Sequence, residues 1–145
     1  MSNIIKFSDA SNLALHSMAY LVSYGNGRTA SVKEIAEKFD ASEAHLSKVI
    51  QRLSHSGLVK TQRGPGGGVT LAKKPEKITL LEIYESIEGP LSTDACLLGK
   101  SSCRLGCCIL GETLEIMGRQ FRAKLAGTKL SDFNRRIKYW REMKD

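Results

Sequence analysis

Apolar residues recur at helical spacing through Ser11–Tyr24, where Leu13, Leu15, Met18, Ala19, Leu21 and Val22 fill a broad arc. That period predicts a helix packed on a core. Gly25-Asn-Gly27 stops it, because Gly and Asn tolerate the left-handed turn that ends a helix. Ser31-Val-Lys-Glu34 has the form of a capping box and opens a short helix with Ile35, Ala36 and Phe39 inward. A turn at Asp40-Ala-Ser42 leads to a second helix reaching about His55, with Leu46, Val49, Ile50 and Leu53 on one face. Gly57 stops that helix.

The period then changes to two. Leu58-Val-Lys-Thr-Gln-Arg63 alternates as a strand does, Gly64-Pro-Gly-Gly-Gly68 forms a turn, and Val69-Thr-Leu-Ala72 returns, which predicts a hairpin. Thr79-Leu-Leu-Glu82 is a further capping box, opening a helix with Leu80, Ile83, Tyr84 and Ile87 apolar, and Gly89-Pro90 ends it. After residues 91–108 a long amphipathic helix runs to about Ala126, carrying Ile109, Leu110, Leu114, Met117, Phe121 and Leu125. Gly127 stops it, and Thr128–Lys144 reads as a terminal helix with Phe133, Ile137, Tyr139 and Trp140.

Helix, turn, helix and a glycine-tipped hairpin follow one another in the order of a winged helix-turn-helix, so the fold class is mainly α with a β-hairpin wing. The second helix of the pair then faces the major groove. Its outward positions are Ser42, Glu43, His45, Ser47, Lys48, Gln51 and Arg52. Ser, Gln and Glu exchange hydrogen bonds with base edges, while Lys and Arg neutralise phosphates. In the wing, Arg63 adjoins a turn in which Gly66 and Gly67 let the backbone approach a phosphate or the minor groove.

Charge supports that reading. The chain of 145 residues carries a formal charge of +7, and residues 41–74 hold six basic groups against the single acid Glu43. Such a stretch favours a polyanion and predicts steep salt dependence. The glycine turn is not a phosphate-binding P-loop, since no Gly-Lys-Ser/Thr follows it. An enzyme is disfavoured: His16, His45 and His55 lie apart in sequence from the cysteines, and no nucleophile–base pair stands out. No stretch is long enough to cross a membrane, and Met1-Ser-Asn-Ile-Ile-Lys6 lacks the apolar run of a secretory signal. The expected location is cytoplasmic, where thiols are normally reduced.

All four cysteines, Cys96, Cys103, Cys107 and Cys108, fall in one short Gly/Ser-containing stretch. Clustered thiols in a reducing compartment point to metal ligation or reversible redox chemistry. Four thiolates suit tetrahedral zinc, but the spacing lacks paired Cys-x-x-Cys knuckles.

Six segments carry a family resemblance: Asn12–Leu21, Ser31–Lys38, Leu46–Leu53, Ser56-Gly-Leu-Val59, Arg63-Gly-Pro-Gly-Gly-Gly68 and Ile78–Ile83. Together with the trailing cysteines they resemble the Rrf-two transcription regulators, over nearly the whole chain to about Phe133. The resemblance implies a DNA-binding homodimer, a repressor in many members, that reads a palindromic operator in double-stranded DNA. It makes the helix after the cysteines the dimerisation helix, with Leu110, Leu114, Met117, Phe121 and Leu125 on its contact side. The chain then divides into a winged helix-turn-helix unit, 1–90, a cysteine-containing sensor loop, 91–108, and a dimerisation helix with a C-terminal helix, 109–145.

Cluster-binding members hold a two-iron or four-iron iron–sulfur cluster on three cysteines per subunit. Cys96, Cys103 and Cys108 match that pattern, with Cys107 as an alternative ligand. The family's histidine three residues after the third cysteine is replaced by Gly111, and Asn12 stands where other members place an Asp. Asp9 and Glu112 remain as possible fourth ligands. Other members work without iron, by thiol oxidation or a protein partner, and here that would pair Cys96 with Cys103 or Cys108.

Overall fold

The computed structural model describes residues 5–24, 28–92, 108–110 and 112–142, with side chains through 138. The expected stop at Gly25–Gly27 and the cysteine stretch up to Cys107 lie outside the described residues. Within them run α1 (Asp9–Ser23), α2 (Val32–Lys38), α3 (Glu43–His55), β1 (Val59–Gln62), β2 (Gly68–Leu71), a 3-10 turn at Pro75–Lys77, α4 (Leu80–Glu88), α5 (Thr113–Gly127) and α6 (Leu130–Glu142).

Helix α1 is the centre of the fold and packs against α3, α4 and α6. It begins two residues before the position expected from apolar spacing, because Ser8 caps it: its Oγ accepts the Ser11 N–H at 3.2 Å. Ser8 is itself held by Glu88 at the end of α4, donating both its hydroxyl and its N–H (3.0 Å) to Oε1. Lys6 Nζ lies 3.9 Å from the same carboxylate. Burial acts to raise the Glu88 carboxyl, but Ser8, Ser11 and Lys6 outweigh it and hold it below its ordinary 4.5. A depressed folded-state pKa adds stability that is full above the unfolded value and lost as pH falls through the folded one. Glu88→Gln is therefore expected to flatten the acid limb below about pH 5. Urea midpoints from pH 7 to 3 measure this, and identical slopes for the two proteins would refute it.

Ser17 is fully buried on α1, and its hydroxyl has no hydrogen-bond partner among the described residues. A buried unsatisfied hydroxyl costs about 1–3 kcal/mol, and Ala is the better helix former. Ser17→Ala is expected to raise stability by about 1 kcal/mol, read as a higher melting temperature. A lower one would show that the hydroxyl has a partner.

Ser31 caps α2 by accepting the Glu34 N–H at 3.0 Å. The reciprocal half of the expected capping box is not made. Glu34 Oε1 instead accepts the Tyr20 hydroxyl at 2.8 Å. Tyr20 is buried, and a buried phenol needs an acceptor more than an exposed helix-end amide that water can serve. Burial, then hydrogen bonding with Tyr24 and Glu34, pushes its pKa above the ordinary 10. Between α2 and α3 Asp40 takes a positive φ of 49°, and Ala41 N–H reaches back to Ala36 O at 2.9 Å. This is the tight turn of the helix-turn-helix; Asp tolerates the left-handed region better than most residues.

Strands β1 and β2 pair antiparallel, from Val59 opposite Leu71 to Gln62 opposite Gly68. Buried Val59 and Val69 root the hairpin in the core. Ala30 joins the hairpin through an isolated bridge, exchanging hydrogen bonds with Val69 at 3.1 and 2.7 Å. Helix α4 has the full capping box expected of Thr79 and Glu82.

Helix α5 starts at Thr113, later than expected; Ile109 and Leu110 form a turn ahead of it and are exposed. It docks on α4 through a small cluster of Leu81, Tyr84, Leu91 and Leu125, with Phe121 at its edge. The link to α6 then pairs with the chain before α4: Leu80 N–H donates to Thr128 O at 3.0 Å and Leu130 N–H to Ile78 O at 2.8 Å. Leu130 is buried in the main core with Ile78 and Ile83.

Candidate nucleic-acid interface and cysteine stretch

Helix α3 is split cleanly between two faces. Leu46, Val49, Ile50 and Leu53 are buried, which fixes the helix against the core. The opposite face then presents Glu43, His45, Lys48, Gln51 and Arg52 as exposed side chains, with Ser47 half-buried. Ser42 is exposed at the helix start, where its Oγ accepts the His45 N–H at 3.3 Å. Its acceptor is thus engaged in capping while its hydroxyl hydrogen stays available. Glu43 sits in the first turn, where a carboxylate also favours the helix dipole. Arg52 leans toward α4, its Nη1 donating to Ile87 O at 3.5 Å.

The wing places Arg63 on the surface beyond β1. Its tip is a tight turn in which Gly67 N–H donates to Gly64 O at 2.9 Å. A Cβ at Gly67 would sit 2.4 Å from Gln62 O and 2.8 Å from Gly64 O, so the turn admits glycine alone. Gly66 has φ of 76° and is open to solvent. Gly68, absent from the expected set, matters as much: its Cβ would meet Ala30 O at 2.5 Å, the carbonyl that bridges the segment before α2 to the hairpin.

Lys48, Arg52, Lys60, Arg63 and Lys74 have no ion-pair partner among the described residues, whereas Lys73 pairs with Glu82 at 3.3 Å. Unpaired surface cations are suited to phosphates and release counterions on binding. Lys48, Gln51, Arg52 and His55 also border a shallow depression completed by Ser56 and Ser86. His55 and Ser86 were not among the expected contacts; the steps Lys48, Arg52, His55 along α3 were the signal for the former.

Of the proposed ligands, Cys108 is a free, half-buried thiol just ahead of α5. Cys96, Cys103 and the alternative Cys107 lie outside the described residues. Asp9 is exposed in the first turn of α1, and Glu112 is exposed at the start of α5 with no capping bond. Among the described residues no three metal-binding side chains come together, so Asp9, Glu112 and Cys108 are not one cluster there.

The expected dimerisation stripe divides in two. Leu110 and Met117 are exposed and Leu114 is half-buried, whereas Phe121 is half-buried against Tyr84 and Phe7, and Leu125 is buried in the chain's own second core. Ile116, not among the expected positions, adds to the exposed part at 40%.

Comparison with known proteins adds a decisive match. The family model Rrf2, described as "Iron-dependent Transcriptional regulator", covers residues 7–136. The chain belongs to the Rrf2 family. Among Rrf2-type relatives, the HTH-type transcriptional regulator NsrR of Bacillus subtilis is 34% identical over 92 residues, 63% of each chain. The solved structure of CymR (YrzC), the global cysteine regulator of B. subtilis, superposes with a TM-score of 0.75 at 28% identity, covering 90% of this chain and 96% of that one. The IscR of T. potens superposes with a TM-score of 0.66 at 26% identity, covering 92% and 88%. The mainly helical architecture with its two-stranded hairpin is that of the winged-helix Rrf2 regulators. The chain is thus an Rrf2-family transcriptional regulator, and its relatives are regulators rather than enzymes. No described helix is long and apolar enough to cross a membrane.

Proposed function

We propose that the protein is a homodimeric DNA-binding repressor whose operator affinity is set by the state of its cysteine stretch. The observation that carries this reading is the basic surface of α3 and the wing, where Lys48, Arg52, Lys60 and Arg63 have no ion-pair partner among the described residues. Ser42, Glu43, His45, Ser47 and Gln51 would read bases, Lys48 and Arg52 would hold phosphates, and Arg63 with Gly66 and Gly67 would seat the wing. Two copies related by a two-fold would read a palindrome. The exposed Leu110, Ile116 and Met117, with Leu114, supply the apolar surface for pairing α5 with its copy.

Cys96, Cys103 and Cys108 are the proposed holders of an iron–sulfur cluster, with Cys107 as substitute and Asp9 or Glu112 as fourth ligand. The donor chemistry fits: thiolates are the ligands iron–sulfur clusters use, and Cys108 is free and half-exposed rather than packed away. When bound, such a cluster supplies a group whose integrity responds to oxidants, nitric oxide or iron supply. The chain's own part is positional. Cys108 stands five residues before α5 begins, so holding or releasing it moves the base of the dimer helix. A coupling of about 1–3 kcal/mol would change DNA affinity roughly 5–150-fold.

The likeness to CymR favours a second reading, a cluster-free thiol regulator in which the same cysteines form a reversible disulfide. Anaerobic purification with iron and sulfide analysis separates the two. Stoichiometric iron and sulfide with visible charge-transfer absorption supports the cluster. A colourless protein that resists anaerobic reconstitution supports the thiol switch.

A further inference from the structure

Three separate pieces of chain meet at one carboxylate. Glu85 projects from α4, and its Oε1 accepts the Leu91 N–H at 2.9 Å and Arg122 Nη1, from α5, at 2.8 Å. The same Arg122 nitrogen donates to Leu91 O at 3.3 Å. Leu91 and Ser92 are the last described residues before the cysteine stretch, so the chain is pinned by both its N–H and its C=O where it leaves the winged helix.

The surrounding packing makes this contact decisive. Helix α4 is fixed in the main core through Ile83, which is fully buried. Among the described residues, the apolar contact of α5 with α4 is small: Leu125 and half-buried Phe121 meet Leu80, Leu81 and Tyr84, with Leu91 beside them. A patch that small sets a distance better than an angle, because apolar contacts are not directional. The hydrogen bonds from Arg122 Nη1 to Glu85 Oε1 and Leu91 O supply the direction, because hydrogen bonds are angle-dependent. Arg119, one turn earlier on α5, pairs instead with Glu115 of its own helix and fixes nothing between elements.

We propose that Glu85 and Arg122 are positioning residues that fix α5 relative to the DNA-reading unit, and so set the half-site spacing the dimer accepts. This rests on the two-headed reading above. In a dimer paired through α5, a change in the α4–α5 angle is carried to both reading heads. One base pair of added spacer shifts a half-site by about 3.4 Å and rotates it by roughly 35°, so spacing preference reads that angle directly.

The test uses the full-length protein and a palindromic duplex that it selects from a randomised pool, resynthesised with the centre one base pair longer or shorter. Wild type is expected to prefer the selected spacing roughly tenfold or more. Arg122→Ala and Glu85→Gln are expected to reduce that preference to about twofold while keeping salt-dependent DNA binding. Arg122→Lys, which keeps the charge but not the reach and planarity of the guanidinium, should fall between, and Arg119→Ala should match wild type. If Arg122→Ala does not fold, by melting curve, Glu85→Gln and Arg122→Lys carry the test. Unchanged spacing preference in folded variants, with wild type dimeric by sedimentation, overturns the positioning role alone. A monomeric wild type with no spacing preference overturns the dimeric reading, and the positioning role with it.

Discussion

Gly67→Ala is expected to abolish specific DNA binding while leaving the protein folded. The added Cβ would lie 2.4 Å from Gln62 O and 2.8 Å from Gly64 O, both backbone atoms that cannot step aside. The turn must therefore open, and Arg63 at its edge is carried away from its place. Loss of one such arginine contact costs about 1–3 kcal/mol, roughly 5–150-fold in affinity, and the backbone approach at Gly66 and Gly67 is lost as well. The strands stay rooted by Val59 and Val69, each nearly fully buried, so the melting temperature should fall only modestly. Gly127→Ala is the matched control. Nothing lies within 4 Å of its Cβ, and alanine at a compatible helical position stabilises by about 0.4–1 kcal/mol. Anisotropy titrations on one duplex compare them; near-equal affinities would remove the wing from the interface.

Cys103→Ala is expected to eliminate stoichiometric iron and sulfide in anaerobically purified protein, with DNA binding fixed in the apo form's state. A cluster held by three cysteines per subunit does not tolerate the loss of a thiolate, since few soft ligands remain. Cys107→Ala should retain iron, because Cys108 is the assigned ligand next to α5. The fold should survive both, because among the described residues the two buried cores are built from aliphatic and aromatic side chains and methionine. Iron retention in Cys103→Ala, or its loss in Cys107→Ala alone, would reassign the ligands.

The elements of the reading unit were legible because their signals are local. The α3 face follows from Leu46, Val49, Ile50 and Leu53 at helical spacing, and the wing from a period-two run broken by glycines. What escaped depends on contacts between distant segments. Ser8 starts α1 early because Glu88, eighty residues on, holds it. Glu34 leaves its capping role because Tyr20 needs an acceptor. The apolar stripe is continuous in sequence, yet Leu125 and Phe121 of α5 dock on α4 while Met117, and Leu110 in the turn before α5, stay exposed, a division that the placement of α4 decides. Likewise, no spacing rule pairs Glu85 with Arg122 across the cysteine stretch.

The most direct test of the account is the affinity of the full-length protein for its selected duplex, titrated anaerobically before and after oxidation of the cysteine stretch. A palindromic duplex is expected, with an affinity that changes at least about fivefold between the two states. No enriched duplex, or the same affinity in both states, would contradict it.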